Sequence, residues 1–132
     1  MISLEGKRVL LCEDHTLNAS ITIKVLEHAG ASVVRASNGR EGLKLFSESG
    51  VGGFDAILMD ISMPVMNGLE TAEAIRALPR EDAVKIPIIA MTAKYNEDDR
   101  EESLASGMDT HLTKPVDPKE LYNVMERLIE KK

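Results

Sequence analysis

Four short runs in the sequence end on groups able to do chemistry. RVLLC (8–12) is followed by Glu13 and Asp14, FDAILMD (54–60) closes on Asp60, IPIIAMT (86–92) on Thr92, and DTHLTK (109–114) on Lys114. RVLLC is a continuous apolar run, as in a strand buried on both faces; FDAILMD and IPIIAMT are strong strand signals, and DTHLTK is a short one. Where such strands lie side by side, three carboxylates, a hydroxyl and an ammonium meet at one edge. Carboxylates brought that close repel one another unless a cation intervenes. Mg2+ answers this: it takes oxygen ligands and is usually held by one or two carboxylates together with phosphate. Thr92 and Lys114 supply the donors that phosphoryl oxygens need, and an Asp can act as a covalent phosphoryl acceptor.

These residues can meet only if the elements between them bring the strand ends together. A further, weaker strand reads at ASVVRA (31–36). Helical patterns fill the gaps. In residues 16–30, Leu17, Ile21, Val25 and Leu26 fall on one face, and Gly30 closes the helix. Residues 37–50 begin with Ser37 or Asn38 as cap and turn Leu43, Leu45 and Phe46 inward. Residues 68–78 carry Leu69, Ala72, Ile75 and Ala77 near one side. Residues 96–107 start with the acidic run NEDDREE, which suits a helix N-terminus. Residues 117–132 open with Asp117 as cap and Pro118 at the first helical position, with a stripe of Leu121, Val124, Met125 and Leu128. Residues 48–55 and 78–87 read as loops.

The order is βαβαβαβαβα, which implies a parallel sheet with helices on both faces. In the flavodoxin-like strand order 2-1-3-4-5, the first and third strands are neighbours at the switch point, where ligands bind. Glu13, Asp14 and Asp60 then share one crevice. Residues 1–6 read as a leader or linker remnant outside the core, and 7–132 as the domain.

Bulk composition narrows the field. The chain has 132 residues, 43% hydrophobic and 29% charged, as in an ordinary globular domain. Its net charge of −6 and 3% aromatic content argue against a nucleic-acid surface. No apolar run approaches a membrane span, so no membrane contact is expected. One cysteine, Cys12, excludes an internal disulfide, and the lack of an apolar signal core points to a reducing, cytoplasmic setting. Cys12 reads as a small buried hydrophobe.

Taken together, LLCEDHTLN, ILMDISMPVMNGLE, IPIIAMTA and HLTKPVD resemble the receiver domain of two-component response regulators, over residues 7 to about 130. The resemblance implies an α/β, flavodoxin-like (βα)5 sandwich. It implies that Asp60 accepts a phosphoryl group from a phosphohistidine. Mg2+, with Mn2+ as an alternative, would be held by Glu13, Asp14, Asp60 and the backbone carbonyl of Ser62. Lys114 would pair with the phosphoryl oxygens, the Lys114–Pro115 bond would be cis, and Thr92 would move toward the phosphoryl group as a switch. Such a domain is not an enzyme in the ordinary sense, because it catalyses only its own phosphotransfer and dephosphorylation. Its partners would be a histidine kinase, a histidine phosphotransfer domain, or both. It would be a monomer or a weak dimer through the face of the fourth and fifth predicted helices, residues 96–107 and 117–132.

EDHTLN, GLETAEAIRAL and SGMDTHLTKPVD look most like receivers fused to hybrid histidine kinases, with a stand-alone receiver as the alternative. The chain stops just after the last helix, so no DNA-binding output domain is expected. One switch position departs from the family. Three residues before Lys114 the family usually has Tyr or Phe, and here stands His111, which suggests activation that depends on pH. Lys94, with Ser62, is expected to tune the lifetime of the phosphorylated state.

Other readings fit less well. Asp60 alone could be a turn former, and Glu13 and Asp14 could cap the first helix. An aspartyl-phosphate phosphatase would carry a second Asp two residues after the nucleophile, where Ser62 stands. A flavin or nucleotide binder would have a G-x-G-x-x-G after its first strand. A degenerate receiver acting as a scaffold would lack one of the five key positions, and all are filled.

Overall fold

In the computed structural model, which describes residues 3–93 and 97–130, five strands form one parallel sheet in the order β2-β1-β3-β4-β5. They are β1 (Arg8–Cys12), β2 (Ser32–Ala36), β3 (Ala56–Asp60), β4 (Ile88–Thr92) and β5 (Thr110–Thr113). Between and after them run α1 (Thr16–His28), α2 (Gly39–Glu48), α3 (Gly68–Arg76), α4 (Glu81–Lys85), α5 (Glu97–Ala105) and α6 (Pro118–Glu130). The flavodoxin-like (βα)5 order expected from the alternation of runs is therefore the observed one.

Strand alternation divides the apolar residues between two layers. Val9, Leu11, Leu58, Ile89, Met91 and Leu112 face Leu26 of α1 and Leu121 and Met125 of α6. Leu10, Cys12, Ile57, Met59, Ile88 and Ala90 face Phe46 of α2, Ala72 and Ile75 of α3, and Ala83 of α4. β3 is buried along its whole length, as its unbroken apolar run requires.

Local signals set the helix ends. Asn38 accepts the Glu41 N–H at 2.8 Å, and Asn67 and Glu70 form a reciprocal capping box. Gly30, at φ 100°, takes the left-handed turn that ends α1. Two arginines bind the lower end of the molecule. Arg80 grips both oxygens of Asp82 and donates to the carbonyls of Phe46, Ser49 and Gly50, so it satisfies the C-terminal carbonyls of α2. Arg76 bridges α3 to the carbonyls of Ala83 and Gly107 and to Asp109.

Three expectations need correction. Residues 78–87 are not all loop: α4 forms there, with Ala83 buried against the core. Its five residues are too few for periodicity to show. The inward face of α1 is Ala19, Thr22 and Leu26, while Leu17 and Ile21 are 67% and 52% exposed. The smaller side chains let the helix lie close on the sheet. Residues 1–6 are not wholly outside the core either: Leu4 is buried and its N–H bonds the Ala29 carbonyl at 2.7 Å. Lys94 lies outside the described residues.

Candidate functional site

Parallel register brings the strand ends level: Cys12 pairs with Met59, Asp60 with Met91, and Thr92 with Thr113. The residues at or just beyond these ends therefore gather. Glu13, Asp14, Asp60, Ser62, Thr92 and Lys114 line one open cleft of about 300 Å3, with His15 and Asn18 from the start of α1. Of the described residues expected at the site from the sequence, all lie there except His111 and Pro115. The latter's bond to Lys114 is cis. His111, three residues before Lys114 on β5, pairs with Ala90, so by alternation it shares a sheet face with Thr92.

The turn after β3 is shaped for Asp60. The Ser62 N–H donates to Asp60 Oδ1 at 3.2 Å. The start of α3 presses so close behind that a Cβ on Gly68 would strike the Asp60 carbonyl, which is why glycine stands there. The turn's one non-glycine residue at positive φ is Val65, at 70°.

Asp60 and Glu13 are 4% and 1% exposed, whereas Asp14 is exposed. The α1 start has no side-chain cap, so the two acids are not spent on the helix; Glu13 Oε2 instead accepts the His15 N–H at 3.2 Å. Lys114 Nζ bridges the buried pair, 2.8 Å from Glu13 Oε1 and 2.9 Å from Asp60 Oδ2. Burial, then the hydrogen bond to Glu13, push the Asp60 carboxyl up to about 6, against the pull of Lys114. Burial also works to raise Glu13, but its hydrogen bonds to Asp60 and Lys114 outweigh it and hold the group below its usual value. For Lys114, burial works downward and the two carboxylates prevail, raising it. The charge pattern is thus two acids sharing one cation.

One carboxylate oxygen from each of Glu13, Asp14 and Asp60 lies within 4.8 Å of the others. Three hard oxygen donors this close suit a hard divalent cation better than any soft metal. Sequence reasoning missed one residue behind this cluster. Arg35 of β2 donates to the carbonyls of Glu13 and Asp14. Backbone acceptors leave no signature in a sequence.

A doubly wound sheet with three acids, a threonine and a lysine at its carboxyl edge defines a phosphoryl-handling α/β domain. The family model described as the response regulator receiver domain matches residues 9–126, and the chain belongs to that family. It is a receiver domain of two-component signalling. It is 39% identical over 125 residues to hybrid signal transduction histidine kinase I of Dictyostelium discoideum, covering 93% of this chain and 7% of that protein. The chain thus spans a small part of the curated relatives it matches. Among solved structures it is similar to the receiver domain of sensor histidine kinase PA1611 from Pseudomonas aeruginosa PAO1, which has a magnesium ion coordinated in the active-site cleft. That match has a TM-score of 0.85 and 34% identity, and covers 95% of this chain and 98% of that one. It is also similar to the Saccharomyces cerevisiae Ssk1 receiver domain co-crystal structure with the histidine phosphotransfer protein Ypd1. Here the TM-score is 0.81 at 29% identity, covering 94% of this chain and 89% of that one.

Proposed function

We propose that Asp60 is the phosphoacceptor of this receiver and that Glu13, Asp14, Asp60 and the Ser62 carbonyl hold Mg2+. The observation that carries this reading is the Lys114 ammonium set between two buried carboxylates, with a third carboxylate beside them. Bound Mg2+ would supply charge neutralisation for the phosphoryl oxygens. An Asp60 oxygen attacks the phosphorus of a phosphohistidine. The P–N bond breaks as the P–O bond forms, and the imidazole leaves with the electron pair and takes up a proton. Lys114 leaves its carboxylate partners to neutralise the incoming oxygens, and the Thr92 hydroxyl donates to one of them. Asp60, with a carboxyl near about 6, is ionised and nucleophilic at neutral pH. The domain acts on itself and turns over no separate substrate.

The donor is a histidine kinase or a histidine phosphotransfer domain. Leu17 and Ile21, exposed on α1 beside the cleft, give an apolar footing for the helix that carries the histidine. The similarity to a hybrid kinase favours a place within such a protein. Among the described residues no helix is long and apolar enough to cross a membrane. Any self-association would use the face of α5 and α6. Intact-mass spectrometry after incubation with acetyl phosphate tests the chemistry. One added phosphoryl group that requires both Mg2+ and Asp60, and is absent in Asp60→Asn, is the expected result. Addition to Asp60→Asn would remove Asp60 from the role.

A further inference from the structure

Arg35 is the charged residue of β2, an edge strand whose other members are Ser, Val, Val and Ala. Its Cα pairs with Leu11, two residues before Glu13. From there the side chain reaches past the end of β1. Nε and Nη2 donate to the Glu13 carbonyl at 3.1 and 3.0 Å, and Nη2 donates to the Asp14 carbonyl at 3.2 Å. The planar guanidinium presents Nε and Nη2 to the two carbonyls in one fixed geometry, which the rotating donors of an ammonium do not impose.

Those two carbonyls belong to the two peptide planes that flank Asp14. A peptide unit is rigid, so fixing its carbonyl fixes the whole plane. With the planes on both sides held, φ and ψ of Asp14 are set, and with them the direction of its Cα–Cβ bond. This matters because Asp14 is exposed and its helix start lacks a side-chain cap. The second plane has another consequence. Its nitrogen is that of His15, and in a trans peptide the N–H points opposite to the C=O. Arg35 draws the Asp14 carbonyl to the β2 side, so the His15 N–H faces the cleft, where it holds Glu13 Oε2 at 3.2 Å. The Glu13 N–H is bound in turn to the Ala36 carbonyl at 3.0 Å. β2 therefore secures the acidic turn through both a side chain and its backbone.

We propose that Arg35 is a positioning residue for the cation site, holding from the edge strand the turn that aims Glu13 and Asp14 into the cleft. The proposal rests on the Mg2+ reading given above and adds a residue that touches neither cation nor phosphoryl group. Loss of the fork frees the Asp14 plane and lets both carboxylates spread. Removing an outer partner of a metal ligand typically weakens metal affinity by about 10- to 100-fold.

The test is calorimetric titration of Mg2+ into wild type, Arg35→Gln and Arg35→Lys, with thermal melts of the metal-free chains and the amide NMR shift of His15. Mg2+ binding about tenfold weaker in Arg35→Gln, a displaced His15 amide and partial recovery in Arg35→Lys are expected. A lowered melting temperature with unchanged Mg2+ affinity would make Arg35 merely structural and overturn the proposal. If Arg35→Gln does not fold, Arg35→Lys decides alone: equal affinity and an unmoved His15 amide overturn it. If wild type itself binds no Mg2+, the cation reading falls first and this proposal with it.

Discussion

Lys114 Nζ stands 2.9 Å from Asp60 Oδ2 and binds Glu13 at the same time, so one ammonium holds two buried acids in register. Replacing it by glutamine keeps a donor and removes the charge. Without the cation, two adjacent carboxylates cannot both stay ionised near neutral pH. In Lys114→Gln, with metal chelated, the Asp60 carboxyl is expected to titrate above its present value of about 6, and Glu13 to rise as well. Carboxyl carbon shifts followed by NMR across pH check this. An Asp60 titration that stays put or moves down would show that Lys114 does not govern the pair.

Asp60 also makes the site unfavourable to the fold. Its folded carboxyl lies near about 6 against an ordinary 3.8. Between those values the folded chain keeps a proton that the unfolded chain has lost, so stability falls as pH rises through the window. Above about 6 the full deficit is present. Asp60→Asn removes it. Without metal, the variant should match wild type below pH 3.8 and exceed it by about 2–3 kcal/mol at pH 7. Urea unfolding at pH 4 and 7 reads the difference; an advantage equal at both pH values would refute the electrostatic account.

Arg80 is the opposite case, a charge that stabilises. Its guanidinium lies 4.5 Å over the Phe46 ring and grips Asp82 as well as the α2 carbonyls. Arg80→Ala should cost about 2–4 kcal/mol, since partly buried carbonyls and a carboxylate lose their donors. Asp82 is held down to about 2, first by its hydrogen bond to Arg80, so its share of stability is present above 3.8 and lost as pH falls toward about 2. The gap between wild type and variant should narrow over that window. Mg2+ affinity should not change, because Arg80 is remote from the cleft.

Cys12 gives a label for global opening. The thiol is wholly buried, and burial, then the Glu41 charge, push it up to about 12. Its nucleophilic thiolate is therefore scarce, and reagent has no path to it. Thiol labelling of the native chain should proceed only at the rate set by unfolding and should accelerate with urea. Rapid labelling in native buffer would mean that β1 opens locally. Gly42 sits against the sulfur so closely that a Cβ would come to 2.5 Å from it, so Gly42→Ala should speed the same reaction.

Val65 is 67% exposed yet holds a positive φ of 70°. A β-branched residue there is strained by about 1–2 kcal/mol, and little contact is lost on replacing it. Val65→Asn should raise the unfolding free energy by about 1 kcal/mol. No gain would mean that the Val65 side chain packs in a way its exposure conceals.

The strand core was readable because burial on both faces leaves an unbroken apolar run: RVLLC is β1, and AILMD is β3. Glu13, Asp14, Asp60 and Thr92 were readable for the same reason, since each closes or follows such a run, whereas Lys114 follows the mixed strand THLT and was placed by the resemblance and the alternation of elements. Other features were not. Leu17 and Ile21 looked like the inner face of α1, but apolar character marks a contact surface as readily as a core. Leu4 belongs to the opening MISL, a stretch too short for any periodicity to place it inside. α4 depends on Arg80, Asp82 and the chain around them, a long-range arrangement that a local pattern does not carry. Arg35 was invisible because its partners are carbonyls, and every residue has one.

The two ends of the sheet are built for different work. The Gly50–Gly53 turn leads into the amino end of β3, next to the Arg80–Asp82 clamp, while the acids gather a full strand away at the other end. A fluorophore, a surface tether or a fused reporter joined at that turn would be anchored firmly and yet be blind to events in the cleft. The same attachment on the first turn of α1, beside Asn18, would obstruct the cleft's mouth. Biosensor and immobilisation designs for this domain thus have a silent pole and a speaking one, and the direction of the strands tells the engineer which is which.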